Sequence, residues 1–267
     1  WSSDVCSSDL EALVQDAIFS RGPSGAKRTG VFIGGRDMGL AADMLEHARK
    51  AMVPPFEVSV FADPSGAFTT AAAMVAMVEH WLQKAHGTGL SGRKAFVFGG
   101  TGPVGACAGV IAARNGADVY LVSHRSDVEA RKVADRYNTR YGVEMQAASS
   151  ATDQDEAAIL QDAEIVMGAA KAGVQVLTEA DLRRASKLMV AVDVNAVPPP
   201  GIESVGVNDK GKVLEMTPGK AVGIGALAVG NVKYAVQQDL FRQMLKTDQP
   251  VYLDFRDAFL VARRYVG

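Results

Sequence analysis

Two spacings alternate along this chain. Short unbroken apolar runs, suited to buried strands, stand between longer stretches in which apolar residues recur every three or four positions, as on one face of a helix. Glu11 to Arg21 is a short mixed segment that ends at the turn signal Gly22-Pro23. Gly30 to Gly34 predicts a strand and Gly35 to Met38 a turn. Ala41 to Met52 predicts a helix with Met44, Leu45, Ala48 and Met52 on one side. Pro54-Pro55 stops it, Phe56 to Phe61 predicts a second strand, and Asp63-Pro-Ser-Gly66 a turn. Thr69 to Ala85 then predicts a strong helix whose stripe is Met74, Met77, Val78, Trp81 and Leu82. The first region is therefore βαβα, with no phosphate loop of its own.

Gly87 to Gly92 is a glycine-containing linker and a candidate hinge. Beyond it, Ala95 to Phe98 predicts a strand, a glycine turn follows, a helical pattern runs through Ala113, Gly116 ends it, and Val119 to Val122 predicts the next strand. The turn reads Gly100-Thr101-Gly102-Pro103-Val104-Gly105. Strand, glycine turn, helix and strand in so short a stretch form the context that a dinucleotide-binding fingerprint requires. The first glycine permits the tight turn. The second lets backbone N–H groups approach a pyrophosphate, and the third lets helix and strand pack closely. The helix N-terminus adds partial positive charge. By itself the pattern also fits a glycine turn without a ligand; its flanks favour the nucleotide.

The remainder keeps the α/β alternation. Helices are predicted at Val128 to Tyr141, Ala151 to Leu160 and Leu177 to Ala185, and strands at Val143 to Ala148, Glu164 to Gly168 and Leu188 to Val192. Small residues Ala169 and Ala170 at a strand end leave room for a cofactor, and Asn195 at another strand end is a candidate ligand contact. Three glycines, Gly219, Gly223 and Gly225, precede a long helix to about Lys246, on which Lys233 and Gln237 share a face. A final helix covers Asp254 to Val266. The expected fold is α/β. A smaller substrate domain (11–90) stands beside a Rossmann domain (91–234), and C-terminal helices (235–267) pack back on the first.

The tip of the second Rossmann strand bears on the cofactor. NAD-binding units usually place Asp or Glu there for the ribose 2′-OH. Here the strand runs into Ser123-His124-Arg125, and Asp127 comes too late. An arginine fork beside hydroxyl donors suits a 2′-phosphate, so NADP is expected, with NAD possible.

Composition narrows the classes. The 267 residues carry a formal net charge of −2 with no basic block, so neither nucleic acid nor an anionic membrane surface is implied, and no apolar run reaches transmembrane length. Two cysteines, Cys6 and Cys107, are too few for a disulfide scaffold and fit a reducing cytoplasm. The opening WSSDVCSSDL has neither a charged nor an apolar leader region; it looks foreign to the fold, and residues 1–10 are set apart.

None of the four histidines has metal-ligand spacing, and neither a GxSxG elbow nor a paired-carboxylate arrangement stands out. A nucleotide site without conspicuous acid–base machinery suits one kind of redox step. A carbon between two nitrogens that loses hydride becomes a delocalised amidinium-type cation, and no proton moves. The protein then has mainly to align two rings.

Four separated motifs give a resemblance. GTGPVG after its strand, Asp63…Phe68-Thr69-Thr70-Ala-Ala-Ala, Ile18-Phe-Ser-Arg-Gly22 and the Gly-Ala-Leu…Gly230-Asn-Val-Lys233 helix together resemble the NAD(P)-dependent methylene-tetrahydromethanopterin dehydrogenase family, over about residues 12 to 245. The resemblance implies a cytoplasmic one-carbon enzyme that oxidises a methylene pterin carrier to the methenyl form, with the pterin in a cleft between the two domains and a homo-oligomeric assembly. It puts the family's site threonine on Thr70 and its lysine on Lys233, with Asp63, Thr69 and Gln237 as further carrier contacts. Some members have His at the position of Gln237. The family's N-terminal strand, with an aromatic against the pterin, has no counterpart; WSSDVCSSDL stands there.

Each site residue also has a plain structural role open to it: Thr69 or Thr70 as a helix cap, Asp63 as a turn former, Lys233 as a solvated charge. Competing functions are another two-domain NADP enzyme, of shikimate or folate type, and a non-enzymatic NADPH sensor. The shikimate type needs a Lys–Asp pair for proton transfer, and none stands out. The folate type needs a first-domain lysine; Lys27 and Lys50 are present without supporting context.

Overall fold

The structure is a computed structural model and describes residues 9–267. Most of the segment set apart as foreign lies outside the described residues. Leu10, its last residue, opens helix α1 (Leu10–Phe19) and is buried with Val14 and Ile18. The mixed pattern of this segment therefore hides a regular amphipathic helix.

Two sheets share one body. The smaller is parallel, in the order β1 (Gly30–Ile33), β2 (Ser59–Ala62), β10 (Tyr252–Leu253). The larger has seven strands: β5 (Met145–Ser149), β4 (Asp118–Ser123), β3 (Lys94–Phe98), β6 (Ile165–Gly168), β7 (Val190–Asp193), β9 (Val222–Ile224) and β8 (Lys210–Val213), in that order. All pairs are parallel except β8 with β9. β6 and β7 are buried along their whole length, as parallel strands covered on both faces must be. Helices α5 (Pro103–Arg114) and α6 (Asp127–Tyr141) cover one face, and α7 (Asp153–Asp162) and α8 (Glu179–Arg184) the other; both of the latter open with a threonine capping box.

Helix α4 (Ala67–His86) joins the two sheets and differs from its expected single stripe. Every residue from Ala71 to Val78 is buried. A helix apolar all round has no solvent face to keep. This one packs against α5, against α9 (Ala226–Lys246), against α10 (Phe255–Ala262), and beneath β7 and β9. Its run of alanines lets those neighbours approach closely. Farther along, the Trp81 indole lies against Gly211 of β8, where a side chain has no room.

The C-terminal segment crosses between the sheets. α9 leaves the large sheet after β9 and runs past α4 to β2 as one unbroken helix, so residue 234 falls inside it. The chain then adds β10 to β2, and α10 packs on α4 and α9. Three strands escape the sequence pattern. β8 (KGKV) is too polar, β9 contains a glycine, and β10 is two residues long. Each is specified by a distant partner rather than by its own spacing.

Candidate functional site

The glycine turn between β3 and α5 is built as a phosphate cradle. Gly100 N–H donates to Val97 O and Val122 O, and Gly102 N–H to Gly99 O, which folds the loop onto the strand ends. A Cβ on Gly105 meets the backbone of Gly99 at 2.4 Å and one on Gly100 meets Leu121 at 2.9 Å, whereas Gly102 faces open space apart from Gly99 O. Gly102 is the N-cap of α5 and offers no side chain to its first turn, and Pro103 follows in the N1 region. The N-terminal donors of α5 are thus left for an anion. Gly99, which the fingerprint reading passes over, is equally necessary. Its φ is +74°, and a Cβ there falls 2.5 Å from the Ala169 carbonyl.

In front of this loop lies a cleft of about 590 Å³. Gly99, Thr101 and Gly102 form its floor, His124 and Arg125 one wall, and Ala169, Ala170, Lys171 and Val174 the other. The shape and donors fit a dinucleotide: open backbone at the phosphates and small residues on the wall. Arg125 is largely exposed and holds Glu129 only loosely, at 3.5 Å, so its guanidinium is free to turn to a phosphate. Ser123 is buried, and its hydroxyl oxygen accepts from Arg125 N–H, which shapes the turn. Asn195 is also buried. Its amide oxygen accepts from Gly173 and Val197 N–H, and its amide nitrogen donates to Pro199 O, so it braces the loop behind Val174. Pro103 lines a separate recess of about 270 Å³ between the sheets, shared with Thr101, Gly102, Arg36, Lys132 and Arg136. There Arg136 forks onto Asp37, the N-cap of α3 (Met38–Lys50), at 3.2 and 3.3 Å. Val104 follows in the first turn of α5.

The second cluster stands at the end of β2. Asp63 is buried, and its carboxylate accepts four bonds: from Phe68 and Thr69 N–H at 3.0 and 3.2 Å, from the Thr69 hydroxyl at 2.7 Å, and from the Gln237 amide at 3.1 Å. It serves as the cap of α4 from a distance, with the carboxylate set against the positive end of the helix. Between Asp63 and α4 the chain turns through Ser65 and Gly66, both at positive φ. Gly66 O accepts from the Thr70 hydroxyl at 2.7 Å. A Cβ on Gly66 would stand 3.3 Å from both Cε and Nζ of Lys233. The Lys233 ammonium therefore rests over the Gly66 turn and makes no ion pair among the described residues. Ser65 donates to Gly35 O at 2.7 Å, which ties this turn to the loop after β1 and to Arg36 beside the recess between the sheets.

Among the described residues no group of three or more His, Cys, Asp or Glu side chains is placed to hold a metal ion, and no helix is long and apolar enough to cross a membrane. Cys107 is buried in α5, and burial pushes its thiol well above the usual range.

Comparison with known proteins names the family. A protein of Methylorubrum extorquens named NAD(P)-dependent methylenetetrahydromethanopterin dehydrogenase is 47% identical over 259 residues, 97% of this chain and 86% of that one. The chain belongs to the methylenetetrahydromethanopterin dehydrogenase family. The family model described as methylene-tetrahydromethanopterin dehydrogenase, N-terminal, matches residues 2–65. A second protein of the same organism, named bifunctional protein MdtA, is 33% identical over 97% of this chain and 87% of its own. Among solved structures, the NAD-dependent malic enzyme of Thermotoga maritima aligns over 98% of this chain and 72% of its own, with a TM-score of 0.54 at 12% identity, a likeness of fold.

In this methylenetetrahydromethanopterin dehydrogenase family member, two groups of predicted residues are brought together. Thr101, Gly102, His124, Arg125, Ala169 and Ala170 surround or floor one cleft, and Gly100 lies behind it against Val97 and Leu121. Asp63, Thr69, Thr70, Lys233 and Gln237 form one connected cluster. Asp63 and Thr69 have their polar groups engaged within the protein, while Lys233 is the unpaired member. The sequence reading misses Gly99, Arg36 and Glu156. Gly99 and Arg36 had a legible signal, a paired glycine directly after a strand; Glu156 in a polar helix had none.

Proposed function

We propose that this chain transfers a hydride between methylene-tetrahydromethanopterin and a nicotinamide dinucleotide, NADP in preference to NAD, to give the methenyl carrier in one-carbon metabolism. The observation that carries this reading is the convergence of Thr70 and Lys233 on the Gly66 turn in a chain of this family. The bound dinucleotide supplies the hydride-accepting ring. Gly102 and the open first turn of α5 hold its phosphates. Arg125 takes the 2′-phosphate, and Ala169 and Ala170 leave room along the cleft.

Thr70 and Lys233 work by position. The step moves a hydride and no proton, so neither is required as a base. The unpaired Lys233 ammonium donates to an oxygen or nitrogen of the pterin. Thr70 holds the Gly66 turn beneath that ammonium through its bond to Gly66 O. Asp63 and Gln237 hold α4 and α9 at a fixed spacing, and a pre-set spacing is what a hydride transfer between two aligned rings needs. A shikimate-type mechanism is disfavoured, because Lys233 has no carboxylate partner among the described residues with which to relay a proton.

The domain division follows the two sheets, with a substrate unit around β1, β2 and β10 and a Rossmann unit around the larger sheet. We place the protein in the cytoplasm as a homo-oligomer. The exposed apolar side chains Leu13, Phe32 and Leu40, which line one groove beside β1, support self-association. Nicotinamide reduction measured with the methylene forms of both methanopterin and folate carriers tests the reading.

A further inference from the structure

Glu156 lies in the first half of α7 and lines the same cavity as Ser150, His124 and Arg125. Behind it stands Asp181 of α8, which is 6% exposed. Asp181 Oδ2 accepts from Thr178 N–H at 2.8 Å and from the Thr178 hydroxyl at 2.5 Å, and its Oδ1 accepts from Arg184 at 2.6 Å. Three donors to one carboxylate fix it as the charged member of the pair. The carboxyl of Glu156 is hydrogen-bonded to Asp181, and two carboxylates cannot share that contact without a proton.

We propose that Glu156 is a specificity-determining residue of the nucleotide cleft: it admits the 2′-phosphate of NADP while it carries the proton shared with Asp181, and repels that phosphate once the proton is lost. The proposal rests on the reading of this cleft as a dinucleotide site.

The electrostatics agree with the geometry. Burial first, and then the Asp181 charge and hydrogen bond, push the Glu156 carboxyl up to about 7. Burial alone would raise Asp181, but the Thr178 hydrogen bonds and the contacts with Glu156 and Arg184 bring it below its ordinary value. The groups facing Glu156 are Asp153 on its own helix, Asp181 and Arg184 on α8, and His124, Arg125 and Lys171 around the cleft. Arg184 is held by Asp181 at 2.6 Å, and its charge pulls Glu156 down only as the smallest of the influences on it, outweighed by burial and by Asp181. A 2′-phosphate held by Arg125 would share the cleft that Glu156 lines, either with a neutral acid or with a second negative charge. The sign is fixed: the favourable state is present below about 7 and is lost as pH rises through it. NADH lacks the 2′-phosphate and does not feel the change.

The test is the affinity of the free protein for NADPH and NADH, read by nicotinamide fluorescence between about pH 6 and pH 8.5, for wild type and Glu156→Gln. The amide is isosteric, stays neutral and still donates to Asp181, so the pair survives. In wild type, the ratio of the NADPH to the NADH dissociation constant is expected to rise about tenfold across that range, the weight of one pKa unit of coupling. In Glu156→Gln the rise disappears, and at the alkaline end the variant binds NADPH more tightly than wild type. The phosphate's own ionisation near pH ~6 works in the opposite sense and remains in the variant. A wild-type ratio that stays flat, or a rise that persists in Glu156→Gln, overturns the proposal and leaves the cleft reading intact. Failure of both nucleotides to bind overturns the two together.

Discussion

Gln237 and Asp63, 174 positions apart, meet through a hydrogen bond of 3.1 Å from the Gln237 amide to Asp63 Oδ2. This contact joins α9, which leaves the nucleotide-binding sheet, to the cap of α4 at the end of β2. Lys233 lies one turn before Gln237 on the same face of α9, so the bond also sets where the lysine ammonium comes to rest over Gly66. Asp63 is buried, and among the described residues Gln237 is the one donor it receives from outside its own turn and helix.

Removing that donor has two effects. Gln237→Ala is expected to lower stability by about 1.5–3 kcal/mol, the range for a bond to a charged group. It is also expected to raise the KM for the carrier, because α9 loses its tie to α4, while nucleotide affinity stays unchanged. Urea titration and nucleotide titration check the two halves separately. Unaltered stability would show that the contact contributes nothing in solution.

Gly99 gives a sharper structural test than the fingerprint glycines. An alanine there must hold φ near +74° and place its methyl group 2.5 Å from the Ala169 carbonyl. Strain of that backbone kind alone costs on the order of 1–3 kcal/mol. Gly99→Ala is expected to displace the wall formed by Ala169 and Ala170 and to abolish measurable dinucleotide binding, whereas Gly102→Ala, with open space before it, folds normally and loses affinity only. Equal stability of the two variants by thermal unfolding would contradict this.

How much was readable without the structure follows from where the information lies. The strand–turn–helix of β3 and α5 was legible because each spacing is local and the turn demands glycine. The Thr70 and Lys233 cluster was legible only through family resemblance, since no spacing rule links positions so far apart in the chain. β8, β9 and β10 were not legible, because their pairing with β9, β7 and β2 is set by distant strands. The all-round burial of α4 follows from its place between two sheets, which a stripe of Met and Trp residues does not announce.

Arg125 carries the cofactor preference in this account. Its present partner Glu129 is 3.5 Å away and both are exposed, so little is lost when it turns to a phosphate. Arg125→Ala is expected to weaken NADP by about 1.5–3 kcal/mol, the loss of one charge-assisted contact, and NAD much less. Equal losses measured by titration with the two nucleotides would remove Arg125 from the site.

Lys233 is assigned to positioning. Lys233→Met keeps the length of the side chain and removes the ammonium. Turnover is expected to fall by about ten- to a hundredfold, as for loss of one or two good contacts made near the transition state. The pH profile of kcat/KM keeps its shape, because no proton leaves the reacting carbon. Loss of a limb from that profile would make Lys233 a base and would require a different step.

The most direct measurement is the appearance of reduced nicotinamide when the protein is mixed with methylene-tetrahydromethanopterin and NADP, beside parallel reactions with NAD and with methylene-tetrahydrofolate. Stoichiometric formation of NADPH and the methenyl carrier is expected, faster with NADP than with NAD. Intact NADPH binding without reduction of either nicotinamide by either carrier would contradict it.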